Sequence, residues 1–171
     1  MSAHAQGLDP LAVAVGAVVE GVTFYDLAHV VAADMRVKVT FEGLGRRKRE
    51  QLSRLEAKVG GEVARAAPAP GFYPLADVSR LECYVCGHTI DTGTKPAQCP
   101  NCGAAGYAFE REITLAKAWE IAAAAARKSA ALFRELAGRA HGDGKPLLGE
   151  LAKEEDRLAS DADEAHAELM T

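Results

Sequence analysis

Aromatic side chains are scarce in this chain of 171 residues, which has one Trp, four Tyr and five Phe. Alanine, in contrast, occurs 34 times. A large β-sheet favours aromatic and β-branched side chains, whereas alanine is the strongest helix former. Apolar residues still make up 49% of the chain, so it has enough material for a core. The composition therefore predicts a mainly helical protein.

A strong excess of charge is also lacking, because 20 basic residues face 24 acidic ones and the net charge is −4. Proteins that bind nucleic acid or an anionic membrane through their overall charge carry a marked positive excess. We therefore expect neither nucleic acid nor a membrane among the partners of this chain.

The N-terminal segment has an apolar run at residues 11–19 but no Lys or Arg before it. A secretory signal peptide needs such a positive start, and a run of this length does not span a bilayer. Asp9 and Pro10 instead predict the start of a helix, with a capping side chain followed by proline at the first helical position. We therefore expect a cytoplasmic protein.

Apolar residues recur at helical spacing in four segments, and the first of them carries two adjacent apolar stripes. Such a pattern predicts a helix buried over most of its circumference, as inside a bundle. Three prolines between residues 66 and 74 predict a stiff linker after the second helix. The expected organisation is a first helical hairpin at 9–65, a linker at 66–77, a cysteine-containing insert at 78–110 and a second hairpin at 111–170.

Cysteine is rare, but its four copies form two Cys-x-x-Cys pairs with twelve residues between them: Cys83, Cys86, Cys99 and Cys102. Each pair predicts a tight turn that presents two thiolates, and two such turns facing each other form a tetrahedral four-sulfur metal site. Gly87 and Gly103 follow the pairs, where a backbone without Cβ can turn its amides toward sulfur. The spacing favours a metal site over disulfides and leaves iron and zinc both open.

The stretch from Cys83 to Ala104 resembles the rubredoxin-type domain of rubrerythrins, although His88 stands where that family commonly has tyrosine. Segments around Glu20, in residues 41–55 and in residues 148–158 are similar to the ferritin-like half of the same family. The resemblance implies a ferritin-like four-helix bundle interrupted by a small β-rich rubredoxin-like metal domain. It also implies a mononuclear iron on the four cysteines and electron transfer, often linked to peroxide reduction. In rubrerythrins this domain generally follows the fourth helix, whereas here it precedes the third.

The ligands of a second metal site depart from the family pattern, in which Glu and Glu-x-x-His residues hold two irons inside the bundle. At the Glu-x-x-His positions the second helix has Lys48 and Gln51, and the fourth has Glu155 and Leu158. Glu20 is a carboxylate on an apolar stripe of the first helix. Because a lysine ammonium opposes the binding of a divalent cation, we do not expect a di-iron centre.

Glu20, Lys48 and Glu155 share inward stripes, and we interpret them, with Gln51, as a degenerate bundle-centre site. The ammonium would neutralise the buried carboxylates there, since isolated buried charges are costly. The alternative is that Lys48 is exposed and only its aliphatic stem packs on the bundle. Residues 46–49 form a basic run, which either docks an acidic partner or is a solvated face.

Two functions stay open at this point. In the first, iron on the four cysteines passes single electrons to a redox protein partner, and peroxide reduction would follow only if a di-iron site survived. In the second, zinc stabilises the insert, and the bundle is a non-redox scaffold that binds another protein. The resemblance favours the first. We also expect a homodimer, because the first helix is so apolar, and a linker between the hairpins allows two chains to exchange them.

Overall fold

The computed structural model describes residues 7–59, 67–91 and 95–171, and its helices account for most of them. Residues 60–66, where the predicted first hairpin ends and the linker begins, lie outside the described residues. The elements are α1 (Pro10–Val31), α2 (Met35–Val59), α3 (Ala76–Ser79), β1 (Arg80–Glu82), β2 (Thr89–Asp91), a short 3-10 helix (Gly106–Phe109), α4 (Leu115–Arg139) and α5 (Gly144–Leu169). The predicted fold class, mainly helical with a small sheet near the cysteines, is confirmed.

The first helix begins where the sequence predicts. Oδ1 of Asp9 accepts a hydrogen bond from the Leu11 amide at 2.7 Å, and Pro10 occupies the first turn, where its missing amide hydrogen costs nothing. The helix ends at Val31, and the next residue, Ala32, has an extended backbone. Asp34 then accepts from the Arg36 amide at 2.8 Å and starts α2. The short connection makes α1 and α2 an antiparallel hairpin.

Two helical hairpins, α1 with α2 and α4 with α5, form the bundle. α1 lies deepest, with twelve of its 22 residues buried. Among the described residues, α1 is also the one helix that is long and apolar enough to cross a membrane. The apolar run at residues 11–19 is too short to do so by itself. Since 61% of the most apolar stretch of α1 is buried inside the fold, this is weak evidence for a span and is consistent with the core helix of a soluble protein.

The insert between the hairpins begins with α3 and an antiparallel pair of short strands in which Leu81 lies opposite Ile90. Leu81 and Phe109 are buried in the same apolar cluster as Phe24 and Phe41 of the bundle. The insert therefore packs onto the bundle and shares its core.

Arg111 joins the start and the end of the insert. Its guanidinium donates to the carbonyls of Asp77 at 2.5 Å and Arg80 at 2.7 Å. Its own amide donates to the Val31 carbonyl at 2.7 Å, and its carbonyl accepts from the Ala33 amide at 3.0 Å. The end of α1 and both ends of the insert therefore meet at one residue.

The described part of the linker lies against α1 at two glycines. A Cβ on Gly16 would stand 2.8 Å from the carbonyl oxygen of Pro68, and a Cβ on Gly21 would stand 2.9 Å from the hydroxyl of Tyr73. Real Cβ atoms essentially never come so close to another atom. The two glycines therefore allow the linker to approach the helix.

Candidate metal centre

The four cysteines of the insert come together as one cluster, with all four Sγ atoms within 4.8 Å of one another. Sγ of Cys83 is 3.8 Å from Sγ of Cys102, and Sγ of Cys86 is 3.7 Å from Sγ of Cys99. Four sulfurs bonded tetrahedrally to one metal at ~2.3 Å lie about 3.8 Å apart. The cysteines are free thiols. The cluster thus fits a tetrahedral metal ion and could bind one.

Two backbone turns of the same construction present the four thiols. The Gly87 amide donates to the Cys83 carbonyl at 2.8 Å, and the Gly103 amide donates to the Cys99 carbonyl at 2.9 Å. Both glycines have φ of +75°, a left-handed conformation that other residues rarely adopt. A Cβ on Gly87 would meet only Oε1 of Glu82, at 3.9 Å, so backbone conformation and not lack of space requires glycine there.

Each turn is closed by a second hydrogen bond, made by the amide of its first cysteine. The Cys83 amide donates to the His88 carbonyl at 2.8 Å, and the Cys99 amide donates to the Ala104 carbonyl at 2.7 Å. The matching bonds show that the two turns hold their cysteines in the same way, as the repeated Cys-x-x-Cys-Gly pattern predicts.

The thiols differ in their acidity. Nδ2 of Asn101 donates to Sγ of Cys86 at 3.5 Å, and this bond, together with one from the His88 backbone, lowers the pKa of Cys86 to about 6. The Ala104 backbone also lowers the pKa of Cys102, but desolvation and hydrogen bonds with the other thiols outweigh it and raise that pKa to about 12. Because the thiolate is the metal-binding form, the hydrogen bond from Asn101 favours the state of Cys86 that binds a metal.

Sequence reasoning missed the role of Asn101. The sequence feature that could have indicated this role is the position of Asn101 inside the second Cys-x-x-Cys pair, directly before Cys102. The polar residue between these cysteines is thus aimed at a thiol of the other pair.

The cluster has a buried side and an exposed side. Cys83 and Cys99 are buried and belong to the core shared with the bundle, whereas Cys86 and Cys102 are exposed. Three large apolar or aromatic side chains nearby, each at least 60% exposed, complete what we call the cysteine face: Tyr84, Val85 and Tyr107. The rings of Tyr84 and Tyr107 are 6.5 Å apart. Two of the four thiols are therefore presented at the surface among apolar side chains.

The centre of the bundle holds three of the four residues predicted there. Nζ of Lys48 lies 2.6 Å from Oε1 of Glu155 and 3.3 Å from Oε1 of Gln51, and Nε2 of Gln51 donates to Glu155 at 2.7 Å. Lys48 is 2% exposed and Glu155 1% exposed. The alternative of an exposed Lys48 is therefore overturned, and the ammonium neutralises the carboxylate inside the bundle.

Glu20 has different partners, which corrects the expectation of one cluster of all four residues. Its carboxylate accepts from the backbone amides of Gly71 and Phe72, each at 3.2 Å, and of Tyr73 at 3.3 Å. It is 3% exposed. The reason is the linker, whose amides reach α1 at this position and satisfy the buried charge.

In the basic run at residues 46–49, Lys48 is buried and the three arginines are exposed. Lys48 points into the bundle, Arg49 pairs with Asp26 of α1, and Arg46 lies 3.7 Å from Glu42 on the same helix. The run therefore contributes to packing and to ion pairs within the chain.

No protein-family model, no curated protein and no solved structure matches this chain. The resemblance to rubrerythrins therefore stays a prediction that rests on the quoted motifs. The helical fold and the four-cysteine cluster are consistent with it.

Proposed function

We propose that the protein transfers single electrons through one iron ion bound by Cys83, Cys86, Cys99 and Cys102. The observation that carries this proposal is the cysteine face, where Cys86 and Cys102 of the four-thiol cluster are exposed. An iron ion held by four thiolates supplies a one-electron couple between its ferrous and ferric states.

The buried pair of cysteines gives the cluster its rigidity. Cys83 and Cys99 are fixed in the core shared with the bundle, and their backbone groups close both turns. A ligand set that keeps its geometry suits electron transfer, since little has to move when the charge of the site changes. The exposed pair is the side from which an electron would enter or leave.

The cysteine face also fits a redox protein as the partner. Tyr84, Val85 and Tyr107 offer a small apolar surface around the exposed thiols. Encounters between electron-transfer proteins are typically weak and bury less than about 1,200 Å². A partner that covered these side chains would come close to the sulfurs of Cys86 and Cys102.

Peroxide reduction is not part of the proposal. The bundle centre, where the resemblance implies a second metal site, has the Lys48 ammonium bound to Glu155. Because we expect no iron in the bundle, the activity that we propose is electron transfer alone.

The test is metal content combined with redox titration. The full chain is purified from cells supplied with both iron and zinc, and metal per chain and the visible spectrum are measured. We expect one iron per chain, with thiolate-to-iron absorption that disappears on reduction and returns on reoxidation. Cys86→Ser should alter the spectrum, whereas Ser53→Ala, on α2, should leave it unchanged.

Other outcomes overturn specific parts of the proposal. Zinc alone would favour the second candidate, a zinc-stabilised non-redox scaffold, because zinc accepts the same four thiolates at the same distance. About three irons per chain would show that the bundle also binds metal and would restore peroxide reduction as a function to test.

A further inference from the structure

The two turns that present the thiols are alike in their backbone but differ in one side chain. Cys86 and Cys102 each accept a hydrogen bond from the backbone of the residue two positions further along the chain. The residue directly before these cysteines is Val85 in the first turn and Asn101 in the second. Of these two side chains, only the amide of Asn101 can donate a hydrogen bond. The sequence therefore makes the two exposed thiols unequal.

The Asn101 side chain reaches across to the other turn. Its Nδ2 atom lies 3.5 Å from Sγ of Cys86, and among the described residues it is the one side chain outside the four cysteines that donates to their sulfurs. The backbone around it is fixed by the two bonds that close the second turn, between the Gly103 amide and the Cys99 carbonyl and between the Cys99 amide and the Ala104 carbonyl. The donor is therefore held at one exposed sulfur and not at the other.

The strength of this hydrogen bond depends on the charge of the sulfur. With iron on the four thiolates, the site has one more negative charge in the ferrous state than in the ferric state, and the sulfurs share it. Hydrogen bonds strengthen when the acceptor is more negative. Hydrogen bonds to the sulfurs are accordingly among the factors that set the reduction potentials of iron–sulfur sites. The Asn101 amide should thus stabilise the reduced site more than the oxidised one.

We propose that Asn101 raises the reduction potential of the iron site through its hydrogen bond to Cys86. This inference rests on the proposed function, because it assigns Asn101 a role toward bound iron. In the transfer itself, one electron reduces ferric to ferrous iron, the redox protein that supplies it is oxidised by one electron, and no proton moves. Asn101 is a positioning residue, which acts on the iron only through the Cys86 sulfur.

Val85 offers an equivalent position at which the same effect can be added. It precedes Cys86 as Asn101 precedes Cys102, and its side chain is 60% exposed. Because the two turns have the same backbone bonds, an asparagine at position 85 should donate to the sulfur of Cys102. The near-symmetry of the turns therefore predicts a gain as well as a loss.

The experiment measures the reduction potential of the full chain, reconstituted with ferrous iron alone in the absence of oxygen and titrated with dithionite beside a redox dye. Asn101→Leu removes the donor but keeps its bulk, so that water does not take its place. At a fixed solution potential, the ratio of ferrous to ferric sites should fall about five-fold. Val85→Asn should raise this ratio, and the two changes combined should largely cancel.

The control is Gln98→Leu, which makes the same chemical change directly before Cys99. The Gln98 side chain is exposed and donates to no sulfur among the described residues, so this variant should leave the ratio unchanged. An equal fall in both leucine variants would show that general polarity, and not the hydrogen bond, sets the potential.

Two further results would overturn the inference. One is an unchanged ratio in Asn101→Leu with the thiolate-to-iron spectrum of the parent, and the other is Val85→Asn without a rise. Because iron is supplied during reconstitution, these results do not depend on the metal that the protein acquires in cells. Zinc alone in protein purified from cells would overturn the proposed function and leave the measured effect of Asn101 standing, whereas a cluster that takes up no iron would overturn both.

Discussion

Nζ of Lys48 lies 2.6 Å from Oε1 of Glu155, and the two side chains come from different hairpins, α2 and α5. Both are almost fully buried, so neither charge can be compensated by solvent. Removing one partner of such a pair typically costs about 3–5 kcal/mol, whereas replacing both with apolar residues is often neutral or stabilising. The pair therefore makes the association of the two hairpins depend on matched charges.

We expect Lys48→Met to lower the free energy of unfolding by about 3–5 kcal/mol, because the Glu155 carboxylate would stay buried without its cation. Adding Glu155→Leu to this variant should recover most of the loss. Denaturant unfolding of both variants measures the difference. Arg134→Met, which breaks the exposed ion pair of Arg134 with Asp156, is the control and should change little. A single variant as stable as the parent would show that the pair does not stabilise the fold.

Glu20→Gln should weaken the attachment of the linker to α1. The carboxylate accepts three backbone amides, and an amide side chain offers only one oxygen acceptor. We expect a loss of about 1–3 kcal/mol in unfolding free energy and faster hydrogen exchange at residues 71–73. Glu42→Gln, at an exposed site of α2, is the matched control. Unchanged exchange at residues 71–73 would contradict the assigned hydrogen bonds.

Two glycine-to-alanine changes should have opposite signs. At Gly21 the new Cβ would stand 2.9 Å from the Tyr73 hydroxyl and 3.1 Å from its Cζ, so we expect a destabilisation of about 1–3 kcal/mol. At Gly43, in the middle of α2, a Cβ meets nothing within 4 Å. Alanine at position 43 should stabilise the folded protein by about 0.5–1 kcal/mol, because it restricts the unfolded chain and favours the helix. Thermal unfolding of the two variants tests the packing of the linker on α1, and equal effects would argue against it.

Asn101→Ala should raise the pKa of the Cys86 thiol from about 6 toward its ordinary value, because the largest cause of the lowered pKa is the hydrogen bond from Asn101. In metal-free protein, alkylation of Cys86 at pH 7 should then become slower, since less thiolate is present. The pH dependence of alkylation, followed by mass spectrometry of the modified peptide, measures the shift. Val85→Ala is the control. An identical pH profile in the Asn101 variant would show that Asn101 does not cause the lowered pKa of Cys86.

Much of the fold and of the cysteine cluster could be predicted because their signals are local. The Cys-x-x-Cys-Gly repeats determine two turns through bonds within five residues, and the start of α1 is determined by Asp9 and Pro10. Lys48, Gln51 and Glu155 could be placed together because helical spacing puts them on inward faces. The partners of Glu20 could not be predicted, since they are backbone amides about fifty positions away that carry no side-chain signature.

The contacts of Arg111 have a consequence for how this architecture can vary. Its side chain holds the carbonyls of Asp77 and Arg80, while its backbone pairs with Val31 and Ala33 at the end of α1. The segment between Arg80 and Arg111 thus leaves and rejoins the bundle at the same place, as a loop closed at its base. The distance that the chain must cover between the two hairpins is therefore set by the contacts of Arg111 and not by the length of the segment between them.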